Sequence, residues 1–338
     1  MGGDSVRRFA ALIVVLLTTP ASADTLFDNV KGVTATSFGQ VLHFSALLVG
    51  DDGKIIRTYG DGEKLPDRVK YRVDGHGKPL TPAFIDTKEH VIEIGLAALA
   101  QELGVINAPA APGPRDRDAA LAKAQSLLLA QGITTVADMG TSVEDWLAFR
   151  RAGDEGRLRI RIVSYAKSID AMIAVGGGKP TPWLYNDRLR MSGVYLDGSI
   201  KPQKSAILMR NEESRQRNQM SRVAMDGFQL AVETKNVADQ ARITSDFDDL
   251  LKTYTGERRW RNLYTENNPS HVPSDVVMQD DAALKSADAN ARLLMAENQV
   301  GRLSIGQHAD FVMYAAGAVA LSAPLETYID GQLVYKKP

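Results

Sequence analysis

Asp86, Lys88 and His90 alternate along the segment Leu80-Thr81-Pro82-Ala83-Phe84-Ile85-Asp86-Thr87-Lys88-Glu89-His90. In an extended strand, residues two apart point the same way, so a carboxylate, an ammonium and an imidazole would converge at the strand's end. A carboxylate and an imidazole so placed are donors that a divalent metal takes, which makes His90 and Asp86 candidate ligands. A protonated lysine is no ligand, because its nitrogen has donors and no lone pair. Glu233 ends the strand-like run Phe228-Gln229-Leu230-Ala231-Val232-Glu233 and could serve as a further metal ligand. It could equally pair with Lys88 and put a salt bridge where a metal would otherwise sit.

Asp138 and Asp197 also close strand-like runs and are candidate catalytic carboxylates; either could instead cap a turn or a helix. His271, in the loop Pro269-Ser270-His271-Val272-Pro273, is a candidate substrate contact. His43, His76 and His308 lie in β-rich sequence and read as structural. Gly176-Gly177-Gly178-Lys179 lacks the spacing of a phosphate loop and reads as a turn. Nothing has the pattern of a nucleophile elbow or a dinucleotide fingerprint.

The elements that must position these residues fall into three zones. Arg7-Arg8, the apolar run Phe9–Leu17 and the small-residue site Ala21-Ser22-Ala23 read as a signal peptide over 1–23, cut after Ala23. That implies a periplasmic or secreted protein. Residues 24–81 and 300–338 are rich in short strands and turns and are expected to form one small β-domain from both chain ends. Val41–Val49 and Lys54–Tyr59 read as a hairpin about Gly50-Asp51-Asp52-Gly53, and Tyr71–Val73 as a strand ending in a turn at Asp74–Gly77. Residues 82–299 alternate helix and strand: a helix over 117–131, strands over 133–138 and 158–163, a helix over 143–152, strands over 193–197 and 228–233, and a helix-like stretch over 281–298. Such alternation argues for a parallel sheet or a β/α barrel.

The chain carries 40 Lys and Arg against 41 Asp and Glu, a net charge of −1, which gives no reason to expect nucleic acid or an anionic membrane as partner. It has no cysteine, so disulfides and thiolate ligands are excluded.

Four blocks resemble the amidohydrolase superfamily, in particular its exported family-3 group of metal-dependent hydrolases. They are Asp74–Asp86, Leu129–Thr141 with its Gly132-Ile133-Thr134-Thr135-Val136, Ser192–Ser199, and Val300–Tyr314 together with Tyr328–Tyr335. The resemblance implies an α/β fold, a TIM-like barrel with a small β-domain, and one or two divalent metals at the mouth. There metal-activated water would hydrolyse an amide or cyclic amide of a small-molecule substrate. It also implies Asp-x-His-x-His on the first barrel strand, where this chain has Lys88 in place of the first histidine. Glu233 stands where a later strand should offer a histidine, and the late strand-end aspartate has no counterpart. Pro82–Val300 spans about 220 residues against about 250 for a full barrel, so the barrel is short of strands or joined by short connections. Two readings follow: a metal-dependent hydrolase using His90, Asp86 and Glu233, or a metal-free relative without hydrolytic activity that binds a small ligand or has no role.

Overall fold

The computed structural model describes residues 24–105, 111–197, 206–234, 237–254, 264–265, 281–316 and 324–338. The expected signal peptide and His271 lie outside them. In chain order the elements are β1 (Thr25–Ala35), β2 (Val41–Phe44), β3 (Ala46–Val49), β4 (Ile55–Tyr59), β5 (Tyr71–Pro82), β6 (Phe84–Glu89), α1 (Val91–Glu102), α2 (Pro114–Ala130), β7 (Ile133–Thr141) and α3 (Val143–Asp154). They continue with β8 (Arg161–Ala166), α4 (Ile169–Gly176), β9 (Leu189–Asp197), α5 (Ala206–Met225), β10 (Gln229–Thr234), α6 (Val237–Tyr254), β11 (Tyr264–Thr265), α7 (Asp281–Leu293), β12 (Phe311–Met313), β13 (Glu326–Ile329) and β14 (Gln332–Lys336).

Two sheets organise the described residues. One has eight strands in the order β14-β13-β12-β5-β1-β3-β4 with β2 on β1, so residues from both chain ends share it. The other has six strands in the sequential order β11-β10-β9-β8-β7-β6. Its pairings are all parallel.

Strand alternation sorts the six-stranded sheet into two faces. Val136, Ile162, Val194, Leu230 and Val232 pack with the apolar sides of the helices in one large core. Ile85, Ala137, Met139, Val163, Tyr165 and Ala231 form a second core with Ala291, Leu294, Ala296 and Val300. The sheet is curled around this second core, an α/β half-barrel with helices outside. Helix α7 also tends the sheet's margin: Asn290 Nδ2 donates to the carbonyl of Ile85 on β6 at 2.9 Å. Gly193 lets the inner face close, because a Cβ there would stand 2.4 Å from the ring of Tyr165 and 2.7 Å from the Gln229 carbonyl. Tyr165 in turn donates to Gln229 Oε1 at 3.0 Å.

Several elements depart from the sequence pattern. Val41–Val49 is broken at Ser45, whose backbone N–H and hydroxyl both turn to the Tyr59 carbonyl. Asp74–Gly77 is no chain reversal: β5 runs through it with His76 and Gly77 at positive φ, as an irregularity opposite β1. Helix α1 occupies a stretch whose apolar run shows no clear periodicity. Arg159 and Ile160 precede β8 because their backbone N–H groups bond to Gln125 instead of a strand.

The sheets are tied by buried charge. Arg161, fully buried, opens β8 and donates from Nε to Asp310 Oδ2 at 2.8 Å and from Nη2 to Asp310 Oδ1 at 3.0 Å. Its Nη2 also reaches Asp330, and its Nη1 the carbonyls of Asn186 and Asp187 at 3.1 Å each. Arg188 adds a bond to Asp330 at 2.7 Å. His308 sits between Asp330 at 2.6 Å and Asp187 at 2.9 Å. Burial works against ionisation of Asp330, but the His308 hydrogen bond and the charges of Arg161 and Arg188 outweigh it and hold its carboxyl at about 2. Arg161→Ala strands two buried carboxylates and is expected to cost about 3–5 kcal/mol, read from urea denaturation. The depressed carboxyl stabilises the fold fully above the ordinary aspartate value of about 3.9. That contribution should fade as pH falls towards 2, and Asp330→Asn should flatten this limb of an acid-unfolding curve.

Candidate functional site

The C-terminal ends of the parallel strands bring polar residues to one rim. Strand register sets Glu89 beside Asp138, Asp138 beside Ser164, and Asp197 beside Glu233. In a parallel α/β sheet this is the end at which ligands bind, because the strand–helix loops gather there.

Lys88 and Glu233 meet across the rim, Nζ to Oε1 at 3.2 Å. Their strands, β6 and β10, are four steps apart in the sheet. Flat, that would be about 19 Å at about 4.8 Å per step, further than the two side chains can jointly reach. The curl makes the pair. Strict alternation would not give it either, since Ile85 belongs to the inner core and Lys88, three residues on, should face outward. A register shift between Asp86 and Glu89 breaks the alternation.

That irregularity also sets the place of Asp86. The side chain is buried, and its Oδ1 accepts the backbone N–H of Lys88 at 2.9 Å, an Asx-type turn that shapes the strand end. His90 lies past the strand as the residue before α1, so 86, 88 and 90 do not share one strand face. Its ring meets Tyr195 edge-on with centroids 6.1 Å apart.

Asp138 is buried on β7, three residues before its end. Its Oδ1 accepts the N–H of Val91 at 2.8 Å and its Oδ2 the hydroxyl of Thr141. Val91 is the first residue of α1, where unpaired N–H groups and the helix dipole favour a carboxylate, so Asp138 caps that helix from a neighbouring strand. Burial pushes its carboxyl up to about 6, against the pull of Thr141, Val91 and the nearby His90.

Tyr195, unmarked by its own sequence context, completes the cluster: its hydroxyl donates to Glu233 Oε2. The signal that could have found it is period two, since it stands two residues before Asp197 on the same strand. Gly140 and Lys167 stand beside this ring. Gly140 has φ +83°, and a Cβ built on it would lie 3.8 Å from the Tyr195 ring, 3.9 Å from Lys167 Cβ and 4.0 Å from His90 Nδ1.

The structure thus joins Lys88 to Glu233, sets Asp197 in register beside Glu233, and holds His90 near Tyr195 and Asp138. Asp86 is turned to backbone. These donors do not suit a divalent metal: an ammonium holds Glu233, and among the described residues no three His, Asp or Glu side chains gather where an ion could sit. A cavity of about 580 Å³ between the start of α4 and α5, lined by Ser168, Asp170, Arg215 and Arg222 among others, includes none of the cluster's residues. No helix of the described residues is long and apolar enough to cross a membrane.

No family model and no curated protein matches the chain. Solved structures do resemble it. A metal-dependent hydrolase from Pyrococcus horikoshii aligns over 86% of this chain and 97% of its own, with 14% identity and a TM-score of 0.61. Another metal-dependent hydrolase, from Pyrococcus furiosus, aligns over 86% and 98%, with 13% identity and a TM-score of 0.59. The guanine deaminase of E. coli aligns over 93% and 100%, with 13% identity and a TM-score of 0.57. At such identities the likeness is one of fold. It is the α/β fold that the alternation of elements predicted.

The raised carboxyl of Asp138 gives a measurable sign. A carboxyl whose folded pKa lies above its unfolded value favours folding at low pH, and the benefit is lost as pH rises from about 4 to about 6. Asp138→Asn should remove this downward slope in urea-derived stability; an unchanged slope would show that Asp138 is not its source.

Proposed function

We propose that this chain is an amidohydrolase-like protein that holds an internal ion pair at the rim of its half-barrel, in the place of a catalytic metal. It binds a small molecule there and does not hydrolyse carbon–nitrogen bonds. The supporting observation is the Lys88–Glu233 pair, with the Tyr195 hydroxyl on the second oxygen of Glu233. An ammonium in contact with a would-be ligand repels a divalent cation and takes the lone pair it would need.

The reading includes export by a signal peptide over 1–23, a periplasmic or secreted location, and a small β-domain of 24–81 with 300–338 framing 82–299. Neither nucleic acid nor, once the signal is cut, membrane is a partner. A second reading has support in the names of the fold neighbours, two of which are metal-dependent hydrolases. In it His90, Asp86 and Glu233 would hold zinc or another divalent ion. Asp138 or Asp197 would move the proton and His271 would touch substrate.

Elemental analysis of the purified full chain separates the two. Under the first reading the protein carries far less than one equivalent of any divalent metal, a chelator leaves its melting temperature unchanged, and cyclic amides and N-acyl amino acids stay intact. Near-stoichiometric metal that disappears in His90→Ala would sink it.

A further inference from the structure

Three consecutive residues ahead of β9 lie in the left-handed region of backbone conformation: Tyr185 at φ 56°, Asn186 at 55° and Asp187 at 59°. Asparagine and aspartate enter that region as single residues. A bulky tyrosine seldom does, and a run of three is costly because each Cβ crowds a carbonyl. Such strain persists only where the surroundings over-determine it. Here they do. The N–H of Arg188 closes the turn on the Leu184 carbonyl at 2.8 Å. Arg161 Nη1 takes the carbonyls of Asn186 and Asp187, and His308 Nε2 holds the Asp187 carboxylate at 2.9 Å.

The last of these contacts depends on a proton. The His308 side chain is wholly buried, with Nδ1 on Asp330 Oδ1 at 2.6 Å and Nε2 on Asp187. An ionised carboxylate only accepts, so both ring nitrogens must donate, which an imidazole does only as the cation. The neighbouring charges agree. Asp187 precedes β9, Asp310 precedes β12 and Asp330 joins β13 to β14, while Arg161 opens β8 and Arg188 follows Asp187. Lys54, half-buried ahead of β4, adjoins His308 through a backbone bridge. Three carboxylates thus face two guanidiniums, and a cationic ring brings the ion-paired group to neutrality. Without the ring proton, one nitrogen would turn a lone pair towards a carboxylate oxygen. Asp330 stays fixed by Arg161 and Arg188, so the contact that yields is Asp187, whose side chain is 25% exposed.

We propose that His308 is a proton-operated latch. As the imidazolium it holds the strained turn 185–187 against the join of the two sheets. Raising the pH withdraws the proton, frees Asp187 and lets the turn relax. The turn leads into β9, the strand that carries Tyr195 and Asp197 to the rim, so the latch governs how firmly that strand begins. It works in the same way whether or not a metal binds at the rim.

The test is nuclear magnetic resonance of the full chain with its histidines labelled with nitrogen-15, the His308 ring being assigned by its loss in His308→Gln. At about pH 7.5, a unit above the ordinary histidine value of about 6.5, both ring nitrogens should carry protons. As the ring titrates at higher pH, the hydrogen-exchange protection factors of the Arg188 and Leu189 amides, which both bond to the Leu184 carbonyl, should fall about tenfold. Asp187→Asn keeps a residue that tolerates the left-handed turn and offers Nε2 a donor. In that variant the ring should carry one proton at about pH 7.5, and protection of the two amides should no longer follow pH. Its melting temperature confirms that it is folded. A singly protonated ring in the unaltered protein at about pH 7.5, protection that stays constant while the ring titrates, or an unchanged pH response in Asp187→Asn would each overturn the latch.

Discussion

A guanidinium buried at the start of β8 fixes how the two sheets meet. Removing a charge from water is tolerable only when its donors are used, and Arg161 spends its nitrogens on Asp310, Asp330 and the carbonyls of Asn186 and Asp187. The partners come from three separate stretches of chain, so satisfying all of them leaves one arrangement. Arg188 and His308 then divide the remaining oxygens of Asp330 and Asp187. The join is therefore directional, where apolar packing alone would allow sliding. Its position at the beginning of β8 leaves the far ends of the strands free of this scaffold.

Those far ends owe their chemistry to curvature. Apolar residues alternate between a helix-packed outer core and an inner core filled by the segment from Ala291 to Val300. Burying both faces bends the sheet and draws β6 towards β10, which lets Lys88 find Glu233. The same bend puts Tyr195 between them and His90. A local fault in β6 supplies what regular alternation would withhold, and the carboxylate of Asp86 steadies that fault by bonding to the backbone of Lys88. Asp138 acts comparably one strand over, where a buried carboxylate anchors the first turn of α1.

Much of this was legible from residue order. The strand–helix alternation from Pro82 onward announced a parallel sheet, and Gly132-Ile133-Thr134-Thr135-Val136 placed the start of β7, though the strand runs three residues beyond the expected Asp138. The second half of β9, from Gly193 to Asp197, was also readable, as were β10 to within a residue and the strand–turn–strand return of the C-terminus over 325–335. Lys88 and Glu233 could be named as possible partners because their types are complementary and each stood at a strand end. What escaped was set by contacts distant in sequence. Val91–Glu102 folds as a helix because Asp138 caps it and α2 packs on it. Tyr195 and Gly140 matter only because three strands converge.

The sequence by itself determined the strand–helix alternation of the middle of the chain, the β-rich character of both ends, and a lysine on the strand where the family resemblance implies a histidine. Tertiary structure decided what the lysine does. Direction and distance across a sheet depend on curl and on single-residue register shifts, which arise from packing summed over the whole core and leave no local mark. Period-two reasoning put Asp86, Lys88 and His90 on one face; the folded chain gives them three different tasks. Asp86 shapes the backbone, Lys88 joins a carboxylate four strands away, and His90 turns towards a tyrosine.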